Sequence, residues 1–364
     1  MSAQLRQLIL SNIRNLDAVD LNFGAKFNVF TGPNGSGKTS LLEAIYLLGV
    51  GRSFRAKSLQ QIISFGEEQC LVRAKVRPFG DLESDGIWLG VKKGLNGDAQ
   101  YRVGVNVEKS AAELTRLLPI QLIDVNSHLL LEGGPDYRRQ FVDWGVFHVE
   151  PTFLQAWRMM KRALEQRNSA LKLRQMPAEV WNQSFISYAQ TVDEFRRAYV
   201  TRFDLVLRPM LRQLLNISDL EIRYKRGWSE DQSLAAALEA TRSLDMACGY
   251  TNRGPQRADI EVLLDGRPAK TVLSRGQIKL FVCIMLLARA QTLSDASASV
   301  FLIDDLHAEL DKDSCGLFIE TINNLGCQVF ITGIEEDLLK ARLQGCNTHL
   351  FHVEQGCITE AGGY

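Results

Sequence analysis

Gly32-Pro33-Asn34-Gly35-Ser36-Gly37-Lys38-Thr39 fits the spacing G-x-x-x-x-G-K-[ST], and Ser40 follows it. Glycines at these positions let a backbone curl until successive N–H groups face a polyphosphate, and a helix starting at the lysine adds its positive end. In that chemistry Lys38 reaches the β- and γ-phosphates and the Thr39 hydroxyl is a ligand for Mg²⁺. A second candidate is Val300-Phe301-Leu302-Ile303-Asp304-Asp305, an apolar run ending in two carboxylates. Alone it describes many buried strands; beside a phosphate loop it reads as a Walker B strand. Asp304 is then expected at the metal and Asp305 where an attacking water is oriented. The third is Leu273-Ser274-Arg275-Gly276-Gln277. In isolation S-x-G-Q is most simply a capped helix start. Its hydroxyl, glycine amide and helix N-terminus also make a second phosphate site, with Ser274, Gly276 and Gln277 as contacts. One chain cannot easily use two such sites on one nucleotide, whereas two chains head to tail can.

The elements that must position these groups follow from periodicity. Residues 1–30 read as two strands joined by a turn near Asn15, and Phe27–Thr31 as a third. A buried helix is predicted over Lys38–Leu48, stopped at Gly49 and Gly51, and alternation over residues 70–107 predicts an antiparallel meander. Residues 151–212 are nearly free of glycine and read helical, with 11 Lys+Arg against 5 Asp+Glu. Arg158, Lys161, Arg162, Arg167, Lys172 and Arg174 there describe either a solvated helix face or an electrostatic track for duplex phosphates. Strands are expected at Leu220–Tyr224 and Ile260–Leu264, then a long helix from Arg275. The end returns to β/α with Val300–Ile303, a helix near Lys312–Leu325, Gln328–Ile331 and Leu350–Val353. The chain is thus expected to be an α/β head, residues 1–130 and 251–364, split by a mainly helical lobe at 131–250. Two helices of at most about 60 residues would reach ~90 Å, a short arm, with heptads broken by Pro177 and Pro209.

Composition narrows the function classes. The 364 residues carry 42 Lys+Arg and 42 Asp+Glu, and 46% are hydrophobic, which excludes disorder and low complexity as the main state. Zero formal charge means that any polyanion contact comes from local clustering. Seven scattered cysteines without C-x-x-C read as thiols of a reducing compartment. The longest apolar run, Leu280–Ala288, is too short to span a bilayer, so a cytoplasmic protein with no membrane contact is expected. His349 and His352, three apart in a strand, fall on opposite faces and are not read as a metal pair.

Together the three motifs form the ABC-type ATPase pattern, with Ala308-Glu309-Leu310-Asp311 placed as its D-loop. The finer resemblance is to the RecF family, relatives of SMC heads. It is carried by LEAIYLLGVGRSFR (42–55), GGPDYRRQFVDWGVFHVEP (133–151), RGPQRAD (253–259), LSRGQIKL (273–280) and LIDDLHAELD (302–311). The sequence departs from the family pattern at Val125-Asn126, where Pro-Glu is usual, at RGPQRAD in place of G-P-H-R-D-D, and at Ala308 in place of Ser.

The resemblance implies an ABC-type P-loop head with an inserted helical lobe, and ATP with Mg²⁺ as cofactors. Lys38, Asp304 and Asp305 would be catalytic, and Gly32 to Ser40 with Ser274, Gly276 and Gln277 would bind nucleotide. Thr39 and Asp304 would hold the metal. It further implies an ATP-dependent homodimer on gapped duplex or single-strand/double-strand junctions, RecR- and RecO-like partners, and roles in recombinase loading and the SOS response. A weak DNA-dependent ATPase used as a switch is expected, since Asp305 has a shorter arm than the usual Glu. Arg52, Arg55 and Lys57 are further candidate phosphate contacts, and Arg138 and Arg139 structural or nucleotide-side residues. Three rivals are a transporter ATPase subunit, a nuclease of an ABC-headed family, and a protein-binding clamp whose partners supply DNA contact.

Overall fold

The computed structural model describes residues 4–56, 58–77, 85–173, 177–293, 298–306, 310, 312–333 and 343–363. The chain forms two compact units, residues 1–127 with 293–364, and residues 128–292. In chain order the first contains β1 (Gln4–Ile13), β2 (Leu16–Asn22), β3 (Phe27–Thr31), α1 (Lys38–Val50), β4 (Gln69–Arg77) and β5 (Ile87–Gly94). It continues through β6 (Ala99–Val103), β7 (Asn106–Glu108), α2 (Ala112–Leu117) and β8 (Ile120–Ile123). The second has α3 (Leu129–Glu132), α4 (Pro135–Val149), α5 (Phe153–Leu173), α6 (Asn182–Leu215), β9 (Leu220–Lys225), α7 (Leu234–Ala240) and α8 (Arg242–Cys248). It ends with β10 (Asp259–Leu264), β11 (Arg267–Pro268), α9 (Ala269–Val272) and α10 (Arg275–Gln291). The chain then returns to the first unit as β12 (Val300–Ile303), α11 (Lys312–Leu325), β13 (Gln328–Gly333), β14 (Thr348–Glu354) and β15 (Cys357–Gly363).

The first unit holds two six-stranded sheets. One has the order β15-β14-β3-β13-β12-β8, parallel except for β15. Its central strands β3, β13 and β12 are buried along their whole length, which is why VFLI and QVFITG are runs and not alternations. The other, β2-β1-β4-β5-β6-β7, is antiparallel, and its strands alternate buried and solvated residues as one-sided sheets do. Between them lies one core that includes Phe30, Phe330 and Phe351, the apolar side of α1, and Leu8, Leu10, Val72 and Val91 from the antiparallel sheet. Phe23 meets Phe330 and Phe351 edge-on at 5.0 and 5.7 Å, a preferred aromatic geometry.

The second unit differs from the expected boundaries of 131 and 250, because its packing retains more of the chain. α10 stays with α6: the Tyr199 hydroxyl meets Thr292 Oγ1 at 3.2 Å, and Arg289 lies over the Phe141 and Trp144 rings of α4. β9, β10 and β11 form their own antiparallel sheet in that unit. The helices are also shorter than the arm allowed for. At 1.5 Å per residue α5 and α6, with 21 and 34 residues, span about 32 and 51 Å. Pro209 sits inside α6, which runs on to Asn216 in a left-handed cap. Among the described residues no helix is long and apolar enough to cross a membrane.

Candidate nucleotide site

β3 ends at Thr31, and the loop that follows turns on three glycines at positive φ before α1 begins at Lys38. Two of them have no substitute. A Cβ on Gly32 would come within 2.1 Å of the Val353 carbonyl oxygen, and one on Gly37 within 2.9 Å of Leu16. Gly37 also carries no side chain to cap α1, so the first amides of the helix are left for another acceptor. Ser36 Oγ, on a residue only 4% exposed, has no protein hydrogen-bond partner among the described residues. An uncapped N-terminus beside an orphaned buried hydroxyl is the environment a phosphate satisfies.

Two turns wedge this loop in place. Asn15, at the β1–β2 turn, donates from Nδ2 to the Gly35 carbonyl (3.3 Å) and accepts from Ser40 Oγ (3.0 Å). The Gly356 amide, at the β14–β15 turn, donates to the Ser36 carbonyl at 2.8 Å. Behind the loop, buried Glu43 of α1 is paired with Arg14 (2.8 Å) and accepts from Ser53, whose hydroxyl caps the Arg55 and Ala56 amides.

The carboxylates arrive from the neighbouring strands. Thr39 Oγ1 donates to Asp304 Oδ1 at 2.9 Å, and Thr332 Oγ1, near the end of β13, donates to the same oxygen at 2.8 Å. Thr332 in turn accepts from the Asp305 amide at 2.9 Å. Asp305 has φ 55°, a left-handed conformation uncommon for a residue with a side chain. Lys38 Nζ donates to the carbonyls of Gly32 (2.7 Å) and Pro33 (2.8 Å). Burial holds its pKa below the usual lysine value, and the charges of Asp305 and Asp304 oppose that shift. Asn34 to Ser40, Arg55, Val125, Asp304, Asp305, Thr332 and Gly333 line one cleft of about 300 Å³.

The structure therefore brings Ser36, Lys38, Thr39, Asp304 and Asp305 together. Arg55 reaches the cleft and Arg52 is not among its lining residues; Lys57 lies outside the described residues. Val125, where the family usually has proline, presents an isopropyl group with no donor or acceptor, and the Asn126 amide is turned to Asp124 at 3.4 Å. Sequence reasoning missed Asn15, Thr332, Gly356 and Asp124. Asp124 follows β8, whose Ile123 pairs with Ile303, so it stands one strand over from Asp304. It is 7% exposed; burial raises its pKa, against hydrogen bonds from Ser127 and Asn126, and the Asp304 charge adds to the rise.

Ser274, Gly276 and Gln277 belong to the second unit. Ser274 caps α10: its hydroxyl accepts from the Gln277 amide (3.3 Å), and Gln277 Oε1 accepts from the Ser274 amide (2.9 Å). The plain capped helix start is thus present, and Ser274 to Gln277 are all exposed at its tip. Ala308 and Asp311 of the expected D-loop lie outside the described residues. Arg138 and Arg139 are structural. Arg138 makes a bidentate pair with Asp259 (2.7 and 3.1 Å) and donates to Gly133 O, while Arg139 donates to Ala258 O. The GGP-x-x-RR and RGPQRAD stretches therefore hold each other. Of the basic α5 residues, Arg158, Lys161, Arg162 and Lys172 are exposed, and Arg174 lies outside the described residues. Arg167 corrects the expectation: it is 3% exposed and bound to Asp245 and Thr251 at 2.8 and 2.6 Å.

Comparison with known proteins shows the family. Residues 4–359 match the RecF/RecN/SMC N-terminal domain family. The chain is 40% identical to the DNA replication and repair protein RecF of Pseudomonas syringae pv. syringae (strain B728a) over 98% of both chains. With RecF of Pseudomonas aeruginosa (strain LESB58) the identity is 40%, covering 98% of this chain and 97% of the other. Among solved structures, the recombination mediator protein RecF with ATP, described within the RecFOR pathway, superposes with a TM-score of 0.87 at 24% identity, covering 99% and 98% of the two chains. An Smc head domain derived from Pyrococcus furiosus gives 0.59 at 15% identity over 99% and 96%. By fold, by motif and by relationship along nearly its whole length, the chain belongs to the RecF family of DNA replication and repair proteins.

Proposed function

We propose that this protein is an ATP-switched DNA clamp of recombinational repair and replication. The observation that carries the reading is the run Thr39–Asp304–Thr332–Asp305, joined by hydrogen bonds of 2.8–2.9 Å at the mouth of a glycine-built phosphate loop. The hydroxyl and carboxylate oxygens of Thr39 and Asp304 are hard donors suited to Mg²⁺, which when bound would neutralise phosphate charge. Ser36, the α1 amides and Lys38 would hold the phosphates, with Arg55 at the rim. Asp305, fixed by its own amide, would orient water; with one methylene fewer than a glutamate it reaches less far, which suits slow turnover. Ser274 and Gly276 of a second chain would complete each site. Contacts made only in the dimer let ATP shift the monomer–dimer equilibrium, and hydrolysis would reverse it. The expected DNA is a gapped duplex or a single-strand/double-strand junction, with RecR- and RecO-like proteins as partners.

Sedimentation with and without ATP–Mg²⁺, repeated with gapped duplex at two salt concentrations, tests this. Nucleotide should convert monomer to dimer, and DNA affinity should fall as salt rises. Lys38→Met should abolish nucleotide-dependent pairing, and an unchanged mutant dimer would overturn the phosphate-loop assignment. Ser274→Arg should leave ATP binding by the monomer nearly intact and block pairing. Loss of monomer binding would mean that the signature acts within one chain.

A further inference from the structure

The solvated face of the antiparallel sheet is not a neutral surface. Alternation along β4, β5 and β6 buries Val72, Ala74, Leu89 and Val91 and turns Arg73, Trp88, Gly90, Lys92 and Arg102 outward. The register places them in one patch: Arg73 and Arg102 flank Gly90 from either side, while Trp88 and Lys92 precede and follow it on the same face of β5. Gly90 has no side chain, so the middle of the patch is a trench of about 450 Å³. None of its lining residues is a carboxylate, and no ion pair among the described residues engages Arg73, Lys92 or Arg102. The Arg73 guanidinium is stacked 4.3 Å from the centre of the Trp88 ring. Past Lys92 and Gln100 the trench opens into a second depression of about 410 Å³, with Glu68 and Asp98 among its lining residues.

The occupant follows from width, charge and shape. Arg73 and Arg102 stand two strands apart, roughly 10 Å, which admits one sugar-phosphate chain between them. The trench runs over an open face, which suits a polymer more than an enclosed metabolite. Three cations outside any ion pair fit phosphates, and the outer face of the Arg73 guanidinium, stacked on Trp88, offers a plane to an unpaired base. The geometry points to the Arg73–Gly90–Arg102 trench as a binding surface for single-stranded nucleic acid, separate from the nucleotide cleft. This deepens the proposed DNA binding and rests on it.

The test uses the full chain without nucleotide and a labelled 20-nucleotide oligothymidylate, read by fluorescence anisotropy. Gly90→Leu fills the trench and leaves the charge alone; a Cβ there meets only Arg102 Cβ, at an ordinary 3.7 Å. It should weaken binding at least tenfold. Arg73→Ala with Arg102→Ala should do the same and make the salt slope shallower by about 1.4, two contacts at ~0.7 each. Trp88→Phe should remove the oligonucleotide-dependent quenching of tryptophan fluorescence. Wild-type affinity in Gly90→Leu overturns the proposal. So does poly-glutamate binding that depends on Arg73 and Arg102 while oligothymidylate does not bind, which would assign the face to an acidic protein segment. If the variants match wild type and gapped duplex still binds with ATP, this surface falls and the clamp stands. If wild type binds no DNA under any condition, both readings fall.

Discussion

Ionic groups are used in opposite ways in the helical unit and at the nucleotide cleft. In the helical unit Arg167 pairs with Asp245, both buried, and Asn182, Thr251 and Asn252 add further hydrogen bonds to the pair. Arg196 is likewise closed off by Asp143 and the Pro255 carbonyl, and Arg138 by Asp259 and Gly133. At the nucleotide cleft the charged groups converge without cancelling. Lys38 donates to carbonyls and forms no ion pair with Asp304 or Asp305, and the two aspartates stand together with Asp124 close behind. Charges that satisfy one another build a fold. Charges held near one another by neutral hydroxyls and amides keep their capacity for a ligand.

The widest contrast comes from cutting each kind of arrangement. Asp245→Ala leaves Arg167 buried and unpaired, which costs about 3–5 kcal/mol. Chemical denaturation should show that loss while oligonucleotide and nucleotide binding by the folded fraction survive. Lys38→Met should do the reverse: the lysine is desolvated, so unfolding free energy should stay within ~1 kcal/mol of wild type while nucleotide binding disappears. A destabilised Lys38→Met, or a fully stable Asp245→Ala, would break the comparison. A smaller effect is expected at the half-buried Arg138–Asp259 pair. A double-mutant cycle with Arg138→Ala and Asp259→Ala should give a coupling of roughly 1–2 kcal/mol. Near-zero coupling would mean that the two family-specific stretches are held by packing alone.

How much of this was legible in the sequence depends on whether the signal is local. The phosphate loop and the VFLIDD strand are contiguous chemistry, and the apolar strands and α10 carry their own patterns. Arg167 was legible too, though it was counted with the surface charges. Phe153, Ala156, Met160 and Ala163 trace the buried stripe of α5 at spacings of three and four, and the next step lands on Arg167. Thr332, Asn15 and Gly356 were not legible, because they meet the site only through strand order and turn contacts far apart in the chain. β8 escaped because four residues containing a buried glutamine give no period to read. Without β8 nothing placed Asp124 beside Asp304.

Asp124 lies between the two regimes, buried like the structural acids but hydrogen-bonded by the neutral side chains of Ser127 and Asn126. Its folded-state pKa is raised above the ordinary aspartate value, first by burial and further by Asp304. Between the unfolded and the folded pKa the native state therefore holds more protons than the unfolded chain, and stability falls as pH rises through that window. Above it the penalty is constant; below it the protonated acid resembles an asparagine. Asp124→Asn should consequently match wild type at the acid end and be slightly more stable at neutral pH, by less than about 1 kcal/mol. Denaturation midpoints across that pH range check the sign. A variant less stable at neutral pH would mean that the carboxylate's hydrogen bonds to Ser127 and Asn126 outweigh its burial, and Asp124 would then belong with the structural acids of the helical unit.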